Sequence, residues 1–435
     1  MEARRLDADE ALQRCLVRMR SPNLAHQYQG LQNLRNLLQA HDCSPRHLLK
    51  TNALPLLVDV LGPHVDESLQ LEAAWIVTFL TASDAACCLP LVADGALHAL
   101  LEQLDSAHLP VVRQAAGALA NLLADDAELR CVALQAGLLG RLRVLLQAAT
   151  PRPVLRLLSW LLLTLARPSP PPLPLEVVEE VLPKLLWMSS LDDHTVRINA
   201  IWSLTYLSES STETAQRLGQ DDKIVVLVKN VSVKERNQCL FPSLRLLASL
   251  LWALQGDDLV PFCDCIPKLA HVLNNTNRQL QKLALVCLER MATNCALGAL
   301  KIVGIPGLLR QTIAHVHNRK DGSVSLEAVQ IVGRIVQSGT REQLAAVLEA
   351  GALEALAAAL VTRDTATLRR VLTVLDQLVQ LLAECGLSGT VRGRLQASLG
   401  LVHLENLQCS DDEVVHKAAC ATLDQLFHAA DASEI

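Results

Sequence analysis

The sequence predicts an all-α protein built as a right-handed superhelix of stacked helical repeats. Three observations lead to this prediction. Leu and Ala dominate a chain in which 51% of residues are hydrophobic, as is typical of proteins with many packed helices. Apolar residues recur with helical periodicity through most of the chain. Tryptophan, which is scarce here, recurs at Trp75, Trp160 and Trp202, with spacings of 85 and 42 residues. Because one spacing is about twice the other, a structural repeat of about 42 residues is expected.

The composition also excludes several classes of protein. The chain has 435 residues, enough for two or three domains or for one solenoid. Its longest apolar stretch, 154–166, contains Arg156 and is too short to cross a bilayer. The first residues, MEARRLDADEALQR, lack the apolar region of a signal peptide, so a soluble intracellular protein without membrane contact is expected. A net charge of −6 argues against direct nucleic-acid binding and suits basic partners.

Each repeat is expected to contain a turn followed by a short apolar helix. Gly or Asn suits this turn, because a tight connection between helices uses positive φ. The turn positions are Asn52, Gly95, Gly137, Gly304 and Gly351. A longer helix follows, such as VVRQAAGALANLLA or TVRINAIWSLTYLS, in which small residues and leucines are spaced to form one buried face. A polar link such as SDAA, DDAE or SESSTE then separates this helix from the next repeat.

A repeat of two long helices and one shorter helix fits armadillo units better than tetratricopeptide or ankyrin units. We expect one armadillo solenoid over 1–435, with about ten repeats. The approximate repeat bounds are 8–50, 51–93, 94–135, 136–176, 177–219, 220–262, 263–303, 304–350, 351–398 and 399–435, the last a C-terminal cap. The prolines of ARPSPPPLPLEVV, 166–178, predict an extended loop between two repeats rather than a domain boundary.

Alignment of the third helix of each repeat gives two columns of residues. The first reads Trp75, Gly117, Trp160, Trp202, Arg245, Val286 and Gln330, in steps of 42, 43, 42, 43, 41 and 44. The second, four residues later, reads Phe79, Asn121, Thr164, Tyr206, Ser249, Arg290 and Arg334. Positions i and i+4 share one helix face. Both columns are therefore expected to line a single groove on the concave side of the superhelix.

Residues outside the columns are expected to be structural. Trp187 and Trp252 lie off the tryptophan column and are predicted to pack in the core. The thirteen cysteines are predicted to be reduced core residues, and Cys263 with Cys265 has the wrong spacing for a zinc pair. No nucleophile elbow, phosphate-binding loop, metal cluster or paired carboxylate set is visible in the sequence. We therefore expect no enzymatic activity, no cofactor and no metal site.

Several segments, in order, resemble importin-α, the armadillo adaptor that carries nuclear localisation signals. LQLEAAWIVTFLTAS, VVRQAAGALANLLADD and LLSWLLLTLARPSPPPLPLEVVEEVLPKLL are similar to the family's second, third and fourth repeats. HTVRINAIWSLTYLSES and FPSLRLLASLL are similar to the fifth and sixth, and GLVHLENLQCSDDEVVHKAACATLDQLF to the last. The resemblance covers nearly the whole chain and implies a groove that binds extended basic peptides, in the cytoplasm and the nucleus.

The resemblance also implies roles for individual residues. In the family, Trp rings flank Lys or Arg stems, Asn side chains bind the peptide backbone, and an acid binds a key lysine. The implied peptide-binding residues are Trp75, Asn121, Asp125, Trp160, Thr164, Trp202 and Tyr206. Phe79, Gly117 and Thr164 depart from the family pattern, because Phe79 and Thr164 replace Asn and Gly117 replaces Trp. A weakened major site in repeats two to five, for a monopartite peptide, is therefore expected.

The family's second, minor site is expected to be largely lost. Arg245 and Glu327 match family positions and form at most a residual site. Val286 and Gln330 replace Trp, and Ser249 replaces Asn. Arg290 and Arg334 add positive charge where a basic peptide would lie, and like charge opposes such a ligand.

Two further partners follow from the resemblance. The family binds importin-β through an arginine-rich N-terminal arm. Here armadillo-like sequence begins by about Leu12 and is preceded only by Arg4 and Arg5, so either the arm is lost or an upstream segment precedes this sequence. The C-terminal repeat would bind the export receptor. The alternative function is an armadillo scaffold, as in catenin-like proteins, that no longer carries basic cargo.

Overall fold

A computed structural model describes residues 2–124, 126–168, 170–234, 237–317 and 322–431. Within these ranges the chain is helical and has no strand, which confirms the all-α prediction. The chain divides into two compact units, Met1–Ser210 and Ser211–Ile435. No single helix of the described residues is both long and apolar enough to cross a membrane, although one bent pair, Ala85–Ala93 with Ala96–Gln103, meets the length and composition requirements together.

Unit 1 contains thirteen α-helices in its described residues. They are α1 (Glu2–Met19), α2 (Leu24–Gln39), α3 (Pro45–Leu48), α4 (Ala53–Val60), α5 (Glu67–Ser83), α6 (Cys88–Ala93), α7 (Ala96–Gln103), α8 (Leu109–Leu122), α9 (Ala127–Gln135), α10 (Leu138–Leu145), α11 (Arg152–Leu165), α12 (Leu175–Ser189) and α13 (His194–Ser210). A 3-10 helix spans Ala85–Cys87.

Unit 2 contains fourteen α-helices in its described residues. They are α14 (Thr212–Gly219), α15 (Asp222–Lys234), α16 (Asn237–Ala253), α17 (Ile266–Leu273), α18 (Arg278–Asn294), α19 (Ala296–Gly304), α20 (Leu308–Ala314), α21 (Gly322–Ser338), α22 (Arg341–Glu349), α23 (Ala352–Ala359), α24 (Thr365–Glu384), α25 (Ser388–Ala397), α26 (Gly400–Leu407) and α27 (Glu413–Asp431). A 3-10 helix spans Gly256–Cys265.

The long helix that ends each repeat packs against the long helices of the neighbouring repeats. In unit 1 these third helices follow the order α2, α5, α8, α11 and α13, and in unit 2 the order α16, α18, α21, α24 and α27. α8 shows why such stacking forms, since Val111, Ala115, Ala118 and Leu122 place apolar side chains along its buried sides. Small residues there let α5 and α11 approach closely from both flanks, so each repeat is stabilised by burial against its neighbours.

The polar links between repeats supply helix N-caps. Asp126 accepts a hydrogen bond from the Leu129 amide at the start of α9, and Ser211 accepts one from the Thr214 amide at the start of α14. Asp84 likewise accepts from the Ala86 amide at the start of a 3-10 helix. Such caps contribute about 1 kcal/mol each. The predicted links SDAA, DDAE and SESSTE therefore mark helix starts because of their side-chain chemistry.

The turn predictions hold at three positions and are wrong at two. Gly95, Gly137 and Gly351 have φ of 96°, 86° and 89° and directly precede α7, α10 and α23. Gly304 is the last residue of α19, and the left-handed residue is Gly307, with φ of 83°. Asn52, the N-cap residue of α4, has φ of −84°, so this helix begins without a left-handed turn.

The proline-rich loop is shorter than predicted. α11 ends at Leu165 and α12 begins at Leu175, so the predicted extended segment 166–178 overlaps the first turn of a helix. Pro174 directly precedes that turn and serves as its N-cap residue. The overlap arises because Leu175 and the residues after it carry no proline until Pro183, which leaves their backbone N–H groups free to continue the helix.

Candidate functional site

The three column tryptophans lie at equivalent places on third helices of unit 1. Trp75 is on α5, Trp160 on α11 and Trp202 on α13, and each ring is partly exposed. The Trp75 and Phe79 rings stack with centroids 5.9 Å apart and planes 9° apart. The Trp202 and Tyr206 rings lie 5.4 Å apart at 41°. We call the surface formed by Trp75, Phe79, Asn121, Trp160, Trp202 and Tyr206 the tryptophan face.

An internal cation already covers one of these rings. The guanidinium of Arg35, on α2, lies 5.6 Å from the Trp75 ring centroid. Its Nη1 is 3.0 Å from Oε1 of Glu72, whose side chain is only 6% exposed. Burial raises the pKa of the Glu72 carboxyl, while Arg35 and a hydrogen bond from Tyr28 oppose that rise. Sequence reasoning missed Arg35 and Glu72, although Glu72 stands three residues before Trp75 and hence on the same helix side.

A cleft opens beside Trp75, between the first halves of α5, α8 and α11. Its volume is about 340 Å³, and its lining includes Arg35, Glu72, Trp75, Pro110, Arg113 and Val154. Proline rings and aliphatic side chains form most of its walls, with the buried Glu72 carboxylate and two arginines at its edge. Such a cleft suits an aliphatic stem that carries a polar end group.

The Gly117 position of the tryptophan column is closed by its neighbours. Gly117 is buried, and a Cβ there would lie 3.4 Å from Cδ1 of Leu157 and 3.4 Å from Cγ2 of Thr78. The Thr78 hydroxyl lies 2.8 Å from the Ala74 carbonyl oxygen of its own helix and 3.1 Å from the Gln114 carbonyl oxygen of α8, so its one hydrogen is shared between the two acceptors. Leu157 of α11 and Thr78 of α5 therefore pack beside Gly117 of α8.

Asn121 is bonded within the protein. Its Nδ2 donates to the Thr78 carbonyl and to the Thr81 hydroxyl, both at 3.1 Å and both on α5. Since the two amide hydrogens are used by these bonds, only Oδ1 is left for a ligand, as an acceptor. The Asn121 side chain therefore links α8 to α5 and also forms part of the tryptophan face.

Thr164 does not belong to the exposed surface, which corrects its assignment as a peptide-binding residue. It is 1% exposed, and its hydroxyl donates to the Trp160 carbonyl at 3.1 Å. A threonine in a helix readily makes this bond to the carbonyl four residues earlier. The bond and the burial together keep the hydroxyl from a ligand on the surface.

Asp125, the predicted acid of the site, lies outside the described residues. The carbonyl just before it, that of Ala124, accepts hydrogen bonds from two arginines. Nη1 of Arg130 lies 3.2 Å away, and Nη1 of Arg167 also lies 3.2 Å away. Two guanidinium groups thus lie at the Ala124 carbonyl, near the end of α8.

The two residues of the predicted residual minor site lie on different helices of unit 2. Arg245 lies on α16 and the half-buried Glu327 on α21, with α18 packed against both helices. Burial raises the pKa of Glu327, and the nearby Glu289 carboxylate raises it further, while Lys282 and Arg290 oppose the rise. The prediction that Trp252 packs in the core is wrong, because that side chain is 61% exposed. Trp187, the other off-column tryptophan, is half-buried on α12.

The chain is similar in sequence to known armadillo and importin α proteins. A family model described as Armadillo/beta-catenin-like repeat matches residues 84–124. Importin subunit alpha-1b of Oryza sativa subsp. japonica is 24% identical over 96% of this chain and 79% of that protein. Importin subunit alpha-4 of Arabidopsis thaliana is 25% identical over 92% of this chain and 76% of that protein. The chain is a divergent relative of the importin α subunits.

The fold is an all-α armadillo solenoid. A solved structure of an engineered protein superposes on 96% of this chain with a TM-score of 0.80 and 19% sequence identity, which shows likeness of fold alone. Within the described residues, no group of three His, Cys, Asp or Glu side chains is placed to hold a metal ion. The thirteen cysteines are free thiols, and eight of them are buried.

Proposed function

We propose that this importin-α relative is a nuclear import adaptor whose tryptophan face binds a basic peptide, the nuclear localisation signal of a cargo protein. One observation carries the proposal. Trp75, Trp160 and Trp202 occupy the same position on the third helices α5, α11 and α13, and all three rings are partly exposed. The third helix α8 lies between α5 and α11. Scarce aromatic residues repeated on one exposed face favour a ligand that stacks on rings.

Elementary chemistry favours lysine or arginine as the stacking groups. Their aliphatic stems pack along aromatic rings while the charged ends stay near water or an acid. Each stacked cation contributes about 0.5–2 kcal/mol. Asn121 would accept a peptide N–H at its Oδ1, and Asp125 would bind an ammonium group by a charge-assisted hydrogen bond.

The proposed ligand is monopartite. A second basic cluster would need tryptophans and acids in unit 2, where Val286 and Gln330 occupy the tryptophan positions and Arg290 and Arg334 bring positive charge. As an adaptor the protein would pass between cytoplasm and nucleus, and importin-β and an export receptor are its proposed transport partners. Its relatives are named importin subunits, and this name supports the transport role.

Titration of a fluorescent lysine-rich peptide tests the proposed site. We expect Trp160→Ala to weaken binding by about 2- to 30-fold, as loss of one cation–π contact would. Adding Asp125→Ala should weaken binding further, and higher salt should weaken wild-type binding. Thr164→Val and Trp187→Ala are the matched controls and should bind as wild type does. If neither Trp160→Ala nor Asp125→Ala changes the affinity, the assigned site is wrong.

A scaffold for another ligand is the second candidate function. It is favoured by the two internal hydrogen bonds of the Asn121 amide and by the closed position at Gly117. Because of these two features, Asn121 and position 117 offer fewer contacts to an extended basic peptide. Affinity capture separates the candidates, since an adaptor should recover importin-β and basic cargo, whereas a scaffold should recover neither.

A further inference from the structure

Two buried thiols of unit 2 lie in contact. Cys263 is near the end of the 3-10 helix Gly256–Cys265, and Cys295 is the one residue between α18 and α19. Their Sγ atoms are 3.7 Å apart, although the two residues are 32 positions apart in the chain. The 3-10 helix packs against α18 and α19, and this packing brings the two sulfur atoms together.

The two thiols differ in their surroundings. The Cys263 Sγ lies 3.6 Å from the Leu259 carbonyl oxygen, which can only accept a hydrogen bond. When the Cys263 S–H donates to that oxygen, the Cys295 S–H is the donor between the two sulfur atoms. Burial, and then the neighbouring Cys295, raise the pKa of the Cys263 thiol to about 12. Cys263 is 0% exposed and Cys295 6%, so a small reagent from solvent meets Cys295 first.

We propose that Cys263 and Cys295 form a reversible internal disulfide when the protein meets a peroxide. The peroxide oxidises the Cys295 thiol to a sulfenic acid and releases one water molecule. The Cys263 sulfur then bonds to the Cys295 sulfur, and the sulfenic hydroxyl leaves as a second water molecule with the Cys263 proton. The two thiols lose two hydrogen atoms in all, and one hydrogen peroxide is reduced to two water molecules. A thiol reductant reverses the bond by exchange.

The local structure permits this bond to close. Sulfur atoms in a disulfide are about 2.05 Å apart, so the pair must approach by about 1.7 Å. Cys295 has φ of −142° and ψ of 116°, an extended conformation between two helices, so it is not held within a helical turn. Small rotations of the two side chains provide an approach of this size. Because the second sulfur is already in contact, it captures an oxidised Cys295 before further oxidation.

The disulfide would strengthen a junction that ion pairs already hold in part. Asp264, next to Cys263, lies 2.9 Å from the Lys229 Nζ on α15 and 2.9 Å from the Lys301 Nζ on α19. The Asp264 side chain is 60% exposed, and exposed ion pairs contribute little and weaken with salt. A covalent bond between the 3-10 helix and the start of α19 does not depend on salt. Oxidation is therefore expected to stiffen this contact within unit 2.

Peptide mapping tests the bond itself. The full chain is treated with hydrogen peroxide, its remaining thiols are alkylated, and the digest is analysed by mass spectrometry. We expect two peptides joined through Cys263 and Cys295, lighter by two hydrogen atoms than the reduced pair and separated by a thiol reductant. The proposal is overturned if Cys295 is recovered as a sulfinic acid without the joined form. It is also overturned if Cys263 is joined to Cys265 or Cys287 instead.

Thermal unfolding tests the effect on stability. The oxidised chain should melt at least about 4 °C above the reduced chain, because a disulfide restricts the unfolded state. Cys263→Ala should lose both the joined peptides and this shift. Cys265→Ala, which replaces another buried thiol of the same 3-10 helix, is the matched control and should keep both. An equal shift in Cys263→Ala would show that a different oxidation stabilises the protein, and the proposal would fail.

Two further measurements keep the test decisive. If Cys263→Ala loses helix content, Cys295→Ala takes its place, since Cys295 lies between helices and keeps some exposure. Deuterium uptake of 256–265 and 296–304 should fall on oxidation, whereas uptake of α24 should not change. Unchanged uptake at 256–265 in the fully joined protein would overturn the stiffening. The inference does not rest on the proposed basic-peptide site, because both cysteines belong to unit 2 and the tryptophan face to unit 1.

Discussion

The guanidinium carbon of Arg35 lies 5.6 Å from the ring centroid of Trp75, and its Nη1 lies 3.0 Å from Glu72. Arg35 therefore contacts an aromatic ring and a carboxylate together. We propose the same two kinds of contact for a cation of the ligand. We expect the partly exposed ring of Trp160 to contribute more of the binding energy of a basic peptide than the ring of Trp75, where Arg35 already lies.

The first prediction concerns the Arg35–Glu72 pair. Arg35→Met should lower the free energy of unfolding by about 1–3 kcal/mol, because it leaves a nearly buried carboxylate without its partner. Glu72→Gln added to Arg35→Met should restore part of that loss. Urea unfolding of the wild type, both single variants and the double variant measures the coupling. Additive effects of the two substitutions would show that the pair is not coupled.

The second prediction concerns Asn121. Asn121→Ala should lower the free energy of unfolding by about 1–2 kcal/mol, since it removes both hydrogen bonds to α5 and leaves the Thr78 carbonyl without that donor. Asn36→Ala, at an exposed position of α2, is the control and should change stability by less than about 0.5 kcal/mol. Equal stability of wild type and Asn121→Ala would mean that the inter-helix bonds add nothing.

The third prediction concerns pH and the start of α27. A hydrogen bond from Arg369, at 2.6 Å, holds the pKa of the Asp412 carboxyl below its ordinary value, and the Val414 and Val415 amides donate to its other oxygen. A depressed pKa in the folded state stabilises the protein above the unfolded pKa and ceases to do so as pH falls through the folded value. Asp412→Asn should therefore lower the melting temperature at pH 7, and the difference from wild type should shrink as pH falls below about 4.

The neighbouring Asp411→Asn is the control for that experiment. Asp411 is exposed and makes no such pair in the described contacts, so its substitution should have little effect at either pH. A melting difference for Asp412→Asn that stays constant from pH 7 to pH 3 would show that the Asp412 charge is not the source of its contribution.

Helical periodicity and column spacing predicted the helices and the placement of the tryptophans well. Both depend on which side of a helix a residue occupies, and Trp75, Trp160 and Trp202 accordingly emerge partly exposed on third helices. The repeat bounds stay a prediction. Column position did not predict Thr164, because whether a hydroxyl turns inward is decided by packing against neighbouring repeats rather than by register.

Contacts between repeats could likewise not be predicted from the sequence. Arg35 and Trp75 are 40 residues apart, and Arg290 and Trp252 are 38 apart, so their stacking depends on how adjacent helices pack. The prediction of Trp252 as a core residue failed for the same reason. Trp252 was predicted to be buried because it lies off the tryptophan column. Instead it stacks at the surface with Arg290 of the neighbouring helix α18.

Photo-crosslinking of a lysine-rich peptide to the full chain tests the central claim most directly. The peptide carries a photoreactive group beside its central lysine, and the attached residues are identified by mass spectrometry. We predict attachment to α8, α11 and α13, reduced in Trp160→Ala and displaced by excess unlabelled basic peptide. Attachment confined to unit 2, or no attachment beyond that of an acidic control peptide, would contradict the account.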